Sequence, residues 1–267
     1  MYKDEININE LCKRLFFSSD DITINIINYL FKEDFDKNNN SISKYDINFI
    51  ENRINQACNI IEIEEKSNHK KHCYNIEFQI SYDPKIVSKM FFCFGEFIIN
   101  KNKENTKNLN IEENFSLKQC VIFFEENKNI EDTLSWDLTN IHPLNSVYKV
   151  PTFKFWEKDI KTLKSNKLYT LLPLKIFDFK RRLDLIEEQP KDSNDVLFKN
   201  IFMEIKEKIC DIVNTSKELY LDKNISKENL EDMLIAIQDI FSYLSIKYYN
   251  DEKINSEVKE ILKYSRV

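Results

Sequence analysis

Glu77 and Gln79 stand two residues apart in the segment 74–80, YNIEFQI. In an extended strand alternate residues share a face, so Asn75, Glu77 and Gln79 line one side and Ile76, Phe78 and Ile80 the other. A carboxylate beside an amide offers the oxygen donors that a hard divalent cation such as Mg2+ takes. In metal-dependent hydrolysis of a phosphodiester, two acids on neighbouring strands hold the ion while a nearby Lys or Gln orients the attacking water. The same alternation also describes a strand with one solvated polar face. On spacing alone the solvated face is the more economical reading.

The second acid has to come from the strand across the hairpin, at 58–64, CNIIEIE. Directly opposed residues of an antiparallel pair lie on the same face. If the register sums to an even number, Asn59, Ile61 and Ile63 share the Glu77 side. If it sums to an odd number, Cys58, Ile60, Glu62 and Glu64 do. The first register supplies an amide and the second a carboxylate, and both stay open at this level.

Other chemistry is thinner. His69 and His72 flank a polar loop with no third ligand nearby, as a solvated loop would, and His142 precedes Pro143 with no evident partner. No Ser/His/Asp or Cys/His nucleophile set can be assembled. In KIFDFKRRL, Lys175, Lys180, Arg181 and Arg182 surround a single acid, Asp178. Such a cluster suits phosphate contact, but it also suits the C-terminal half of a helix, where the dipole favours cations.

The elements that must position these residues follow from periodicity. SSDDITINIINYLF opens with capping residues, and Ile22, Ile26, Ile27 and Leu30 then recur at helical spacing. Three extended segments follow, at about 42–50, 58–64 and 74–80, the last two joined as a hairpin by EKSNHKKH. Pro84 can open a helix over 84–100, and CVIFF at 120–124 reads as a buried strand. The order is helix, three strands, helix, strand. VYKVPTFKF reads as extended, 156–187 as helix interrupted at Pro173, and EEQPKDSND as a linker. The remainder reads as helix, with Leu230, Met233, Leu234, Ile237, Phe241, Leu244 and Tyr248 on one stripe of 227–249.

Composition narrows the classes. The chain has 267 residues, 42% of them hydrophobic, which is enough for a substantial core. The only glycine is Gly95, so neither a P-loop nor a dinucleotide fingerprint can be built. Six cysteines without a CxxC suit a reduced cytoplasmic protein better than a disulfide scaffold. The longest apolar runs are too short to span a bilayer, and MYKDEININE lacks a signal-peptide core. Expected, then, is a cytoplasmic protein with no membrane association. Net charge is −6, with 12 Lys/Arg against 17 Asp/Glu from residue 186 onward. That argues against avid non-specific DNA binding.

Taken together, YNIEFQISYD…KMFFCFGEF resembles the IEFQ…D…RMFEYGF segment of clostridial-type PD-(D/E)XK nuclease family transposases, relatives of the recombination-promoting nucleases. CKRLF, ITINIINYLF, CVIFFEENKNIEDTL, VYKVPTFKFWEKDI and KLYTLLPLKIFDFKRRL extend the resemblance over roughly residues 11–185. It implies an α/β fold with a restriction-endonuclease-like αβββαβ core, a mixed sheet flanked by helices, over residues 1–187. A helical C-terminal region over 188–267 would follow and could serve homo-oligomerisation. The implied activity is Mg2+- or Mn2+-dependent cleavage of DNA in recombination or mobile elements. Glu77 and Gln79 match the family's E-x-Q residue for residue. The family's metal-binding Asp falls on Asn59, with Glu62 as the alternative acid, and Lys89 stands where an Arg is usual. DNA contacts would then fall to Lys89, Lys180, Arg181 and Arg182. Loss of a carboxylate at Asn59 raises a second expectation, an inactive member that binds DNA or a protein partner.

Overall fold

The computed structural model describes residues 6–51, 54–105, 117–139, 146–189 and 194–265. The chain divides into two compact units, Ile27–Phe123 with Asn127–Lys154, and Met1–Ile26 with Phe124–Glu126 and Phe155–Val267. No helix among the described residues is long and apolar enough to cross a membrane.

The first unit is a six-stranded mixed sheet. Its strands are β1 (Asn40–Glu51), β2 (Ile54–Glu65), β3 (Lys71–Gln79), β4 (Leu117–Phe123), β5 (Thr133–Asp137) and β6 (Val147–Lys154), in the order β1-β2-β3-β4-β6-β5. β1, β2 and β3 form an antiparallel meander; β3, β4 and β6 run parallel, and β5 returns antiparallel to β6. Parallel pairing of β3 with β4 needs a crossover, and helix α3 (Ile86–Asn105) lies between them in the chain. The order read from sequence, helix, three strands, helix, strand, is present. β5 was not foreseen, since TLSWD is short and lies on the sheet edge, where packing demands little of its sequence.

β3 departs from the expected solvated face. From Cys73 through Phe78 every residue is buried. Glu77 is 3% exposed and Asn75 is fully buried. The reason is position: β3 pairs on both edges and is covered on both faces. One face meets α3. On the other, Tyr74 packs against Phe31 and Phe35, with ring centroids 4.9 and 6.2 Å apart. Alternation in the sequence distinguishes two faces, and only the tertiary fold says which of them sees water.

Beneath α3, Ile47, Cys58, Ile60, Cys73, Cys93, Phe97 and Leu117 form one apolar cluster. Within it Cys58 of β2 and Cys93 of α3 are disulfide-bonded, with Cα atoms 6.1 Å apart. This corrects the all-reduced reading. The two cysteines lie 35 residues apart in sequence and meet only because α3 lies over β2. Cys12, Cys73, Cys120 and Cys210 remain thiols.

The second unit is helical: α1 (Ile8–Phe16), the start of α2 (Asp20–Phe31), α4 (Ile160–Ser165), α5 (Lys180–Glu187), α6 (Asn194–Leu221), α7 (Lys227–Lys247) and α8 (Glu252–Lys263). Between α4 and α5 the chain runs as a 3-10 segment, Tyr169–Phe179, buried from Thr170 through Phe177. Pro173, which lacks an N–H and crowds the preceding turn, lies inside it, where the sequence predicts an interruption of the helix. The expected stripe of α7 is buried at Leu230, Met233, Leu234, Ile237, Phe241 and Leu244. Ser226 and Asn229 close its N-terminus as a capping box.

The division expected at 187/188 does not coincide with these units. Thr170 donates a buried hydrogen bond to the Leu15 carbonyl at 2.7 Å. Asn229 donates to the Ser18 hydroxyl at 3.0 Å, and Arg14 pairs with Asp239 at 3.0 Å. The first helix and residues 155–187 therefore pack with the C-terminal helices. The linker expected at 187–195 lies partly outside the described residues.

The disulfide gives a direct test. Closing a loop of this length restricts the unfolded chain by up to about 4 kcal/mol in the chain-entropy picture. Urea unfolding with and without dithiothreitol is expected to show a lower midpoint in the reduced protein. Cys58→Ser/Cys93→Ser should match the reduced wild type, and coincident wild-type curves would mean the bond contributes nothing.

Candidate functional site

The site grows out of the C-terminal end of β3 and the first turn of α3. After Gln79 the chain turns through SYDPK, where Asp83 caps the bend by accepting from the Lys85 amide at 2.9 Å. Pro84 lies just ahead of the helix, as expected. The turn sets Lys89 over β3. Its ammonium pairs with the Glu77 carboxylate, and Gln79 donates its side-chain amide to the same oxygen at 3.4 Å. Glu77, Gln79 and Lys89 are therefore one group, with Glu77 sealed beneath and Lys89 about one-fifth exposed. Tyr82, in the same turn, is exposed, with its ring 6.2 Å from that of Phe123 on β4.

The β2–β3 register resolves the alternatives. Ile60 opposes Asn75 and Glu62 opposes Cys73, an odd sum. Cys58, Ile60, Glu62 and Glu64 therefore share the Glu77 face, and Asn59 turns to the other one. Extending the register past its last pair brings Cys58 level with Glu77. Cys58 is itself bonded to Cys93.

Glu62 is on the right face but too far along it. It opposes a residue four positions before Glu77, about 13 Å away at the strand rise. It is also engaged, lying 2.9 Å from the Lys71 ammonium and 3.0 Å from that of Lys101. Burial raises its pKa, but the hydrogen bonds and charges of the two lysines outweigh burial and hold it below the ordinary glutamate value.

These positions decide how a divalent cation would fit. Glu77 and Gln79 offer adjacent oxygen atoms, but neither Asn59 nor Glu62 converges on them. Among the described residues no group of three or more His, Cys, Asp and Glu side chains could hold a metal ion. The two-acid centre implied by the resemblance does not fit. The histidines are no substitute. His69 lies 2.7 Å from Glu64 and His72 2.7 Å from Glu65, each with its own acid, while His142 lies outside the described residues.

The cationic cluster at 180–182 opens α5 rather than closing a helix, so the dipole explanation does not hold. Lys180 is buried between Glu125 and Asp184, at 2.8 and 2.6 Å. Arg182 makes a two-pronged pair with Glu204 at 2.6 and 2.8 Å. Arg181 and Arg182 are both exposed. Lys180 and Arg182 are spent on their own fold.

Sequence reasoning missed a buried polar row beneath α3. Asn75 donates to the Asn59 carbonyl at 3.0 Å and accepts from Gln119 at 3.1 Å. Gln119 also donates to the Met90 carbonyl at 3.0 Å and accepts from the Tyr148 hydroxyl. The row ties β2, β3, β4, β6 and α3 together a single residue pair away from Glu77. Asn75 was detectable as sharing the Glu77 face, whereas Gln119 and Tyr148 carried no signal.

Comparison with family models, with curated proteins and with solved structures finds no match for this chain.

Two measurements probe the site. Lys89→Met strands a buried carboxylate and is expected to destabilise the protein by about 3 kcal/mol, with Glu77→Gln/Lys89→Met recovering much of the loss. Denaturant melts of the three proteins read this, and an unchanged Lys89→Met curve would refute the pairing. For Glu62, a folded pKa below the unfolded one gives stability that is present above about pH 4.5 and lost as pH falls through the folded value. Glu62→Gln should therefore flatten the acid limb of the stability–pH profile.

Proposed function

We propose that this chain carries a restriction-endonuclease-like core and works as a nucleic-acid-binding relative of the PD-(D/E)XK transposase-type nucleases, without a metal centre of its own. The observation behind this reading is that a single carboxylate, Glu77, joins Gln79 and Lys89. Its presumed partner position, Asn59, turns to the opposite face, and Glu62 is held by Lys71 and Lys101. A hard cation taken from water asks for carboxylates, carbonyls and phosphate oxygens around it. Here the negative charge of Glu77 is already offset by an ammonium.

Support for nucleic acid as the partner comes from the resemblance over residues 11–185 and from Lys89. The Lys89 ammonium, about one-fifth exposed, has donors to offer a backbone phosphate while it stays paired with Glu77, as a point charge without the two-pronged geometry of an arginine. The acidic net charge of −6 favours weak, salt-sensitive binding over avid binding.

A second reading is favoured by one feature: Glu77 and Gln79 keep the spacing and adjacency of an E-x-Q site. In that case the chain is a Mg2+- or Mn2+-dependent DNA endonuclease.

Fluorescence anisotropy with labelled duplex and single-stranded DNA at low salt, beside a plasmid-nicking assay with Mg2+ and Mn2+, separates the two. Expected are binding that weakens severalfold in Lys89→Met and is retained in Lys89→Arg, and no nicking by the wild type. Nicking that disappears in Glu77→Ala would establish the endonuclease instead. Absence of DNA binding at every salt concentration would sink both readings.

A further inference from the structure

The helical unit holds a cavity of about 440 Å³ between the turn Phe155–Glu157, α4, the 3-10 segment and α6. Lys175 forms part of its wall, although the residue is only 3% exposed. The Lys175 ammonium lies 2.9 and 2.6 Å from the two Asp178 oxygens. Its third donor has the Trp156 carbonyl at 3.5 Å, the outer limit of a hydrogen bond, and the ammonium lies over the Phe155 ring, 5.4 Å from its centroid. Lys158, Lys161, Lys208 and Trp156 also line the cavity. Two further acids are present, Glu157 and Asp159, but Asp159 is engaged in capping α4 through the Thr162 amide at 2.7 Å.

A buried ammonium with a poorly used donor is costly unless something completes its shell. Burial pushes the Lys175 pKa down, and the attraction of Asp178 only partly offsets it. Burial likewise pushes the Asp178 carboxyl up against the pull of Lys175. Each partner is thus under-compensated by the other. An oxyanion entering the cavity would supply the charge that Lys175 lacks, and Asp178 could take up a proton and donate to it. The surrounding lysines would meet the remaining oxygens by charge-assisted hydrogen bonds. Trp156, in the lining of the same cavity, brings an aromatic ring on which a base carried by the ligand could stack.

We propose that this cavity binds a phosphate group attached to a nucleobase-bearing compound, with Lys175, Lys161 and Lys208 on the phosphate and Trp156 against the ring. The ligand is a free mononucleotide or the terminal phosphate of a nucleic acid, two sources with one chemistry. The proposal is independent of what the Glu77 group does, since all of its residues lie in the helical unit.

Calorimetric titration of the full chain with AMP, adenosine, and a short oligonucleotide with or without a 5′-phosphate tests it. Expected is binding of the phosphorylated compounds about tenfold or more tighter than their unphosphorylated counterparts, one charge-assisted contact being of that order. Lys161→Gln/Lys208→Gln, which leaves the buried pair untouched, should weaken it about tenfold. Lys175→Met/Asp178→Asn should abolish it while avoiding a lone buried charge. Binding of AMP identifies the free nucleotide as sufficient, and binding of the 5′-phosphorylated oligonucleotide alone identifies a nucleic-acid end. Failure of both to bind at millimolar concentration overturns the proposal, as does equal affinity for adenosine and AMP or an unchanged affinity in the rim variant.

Discussion

A carboxylate as buried as that of Glu77 must have a cation within reach, and the sheet unit is organised around meeting that demand. Lys89 provides it from the first turn of α3, which fixes how that helix lies across β3. The same helix is held twice more along its length, at Cys93 by the bond to Cys58 and at Lys101 by the pair with Glu62. Positions 89, 93 and 101 differ by multiples of four, so they drift only slowly around a helix of 3.6 residues per turn. One face of α3 is therefore fastened to β3 and β2 by an ion pair, a covalent bond and a second ion pair, with Met90 and Phe97 packed between. The buried row Asn59–Asn75–Gln119–Tyr148 locks the strands beneath. Such networks specify a unique arrangement because leaving any member unsatisfied in a low-dielectric interior is costly.

This fastening has a consequence for chemistry. A catalytic metal centre needs negative charge that is not already balanced, and on the α3 face of β2 and β3 Glu64 pairs with His69 while Glu62 and Glu77 are balanced by lysines. Glu62 has two of them, and Glu77 shares one with the amide of Gln79. An arrangement in which acids are consumed by structural pairing is good at holding a helix on a sheet and poor at concentrating divalent cations. Cys58, on the same face of β2, is taken up by its bond to Cys93 and supplies no oxygen there. The part-exposed Lys89 keeps donors for a phosphate, which is why we propose binding ahead of cleavage.

The helical unit follows the opposite logic. Its charged residues cluster where α5 begins and around the 3-10 segment, and those with the best local partners are neutralised. Lys180 sits between Glu125 and Asp184, and Arg182 grips Glu204 with both prongs. Lys175 differs, because its single acid partner is itself desolvated and the cavity beside it is open. The contrast between Lys180 and Lys175, five residues apart, separates structural cations from one with capacity to spare.

Much of this was legible in the sequence. Helical spacing in ITINIINYLF, the alternating segments at 58–64 and 74–80, and the stripe of 227–249 each specify an element by local periodicity. Their order places the E-x-Q pair at the end of a central strand. What the sequence could not decide was anything set by register or by distance. A one-residue shift between β2 and β3 exchanges Asn59 for Glu62 on the Glu77 face, and only the paired strands fix it. Whether a polar alternate face is wet or sealed depends on what covers it, and α3 seals this one. The meeting of Cys58 with Cys93, the engagement of Glu62 and the joining of α1 to the C-terminal helices are likewise long-range facts. Local physics determines which elements form and which faces they present; only tertiary packing determines which charges remain available once those faces have met.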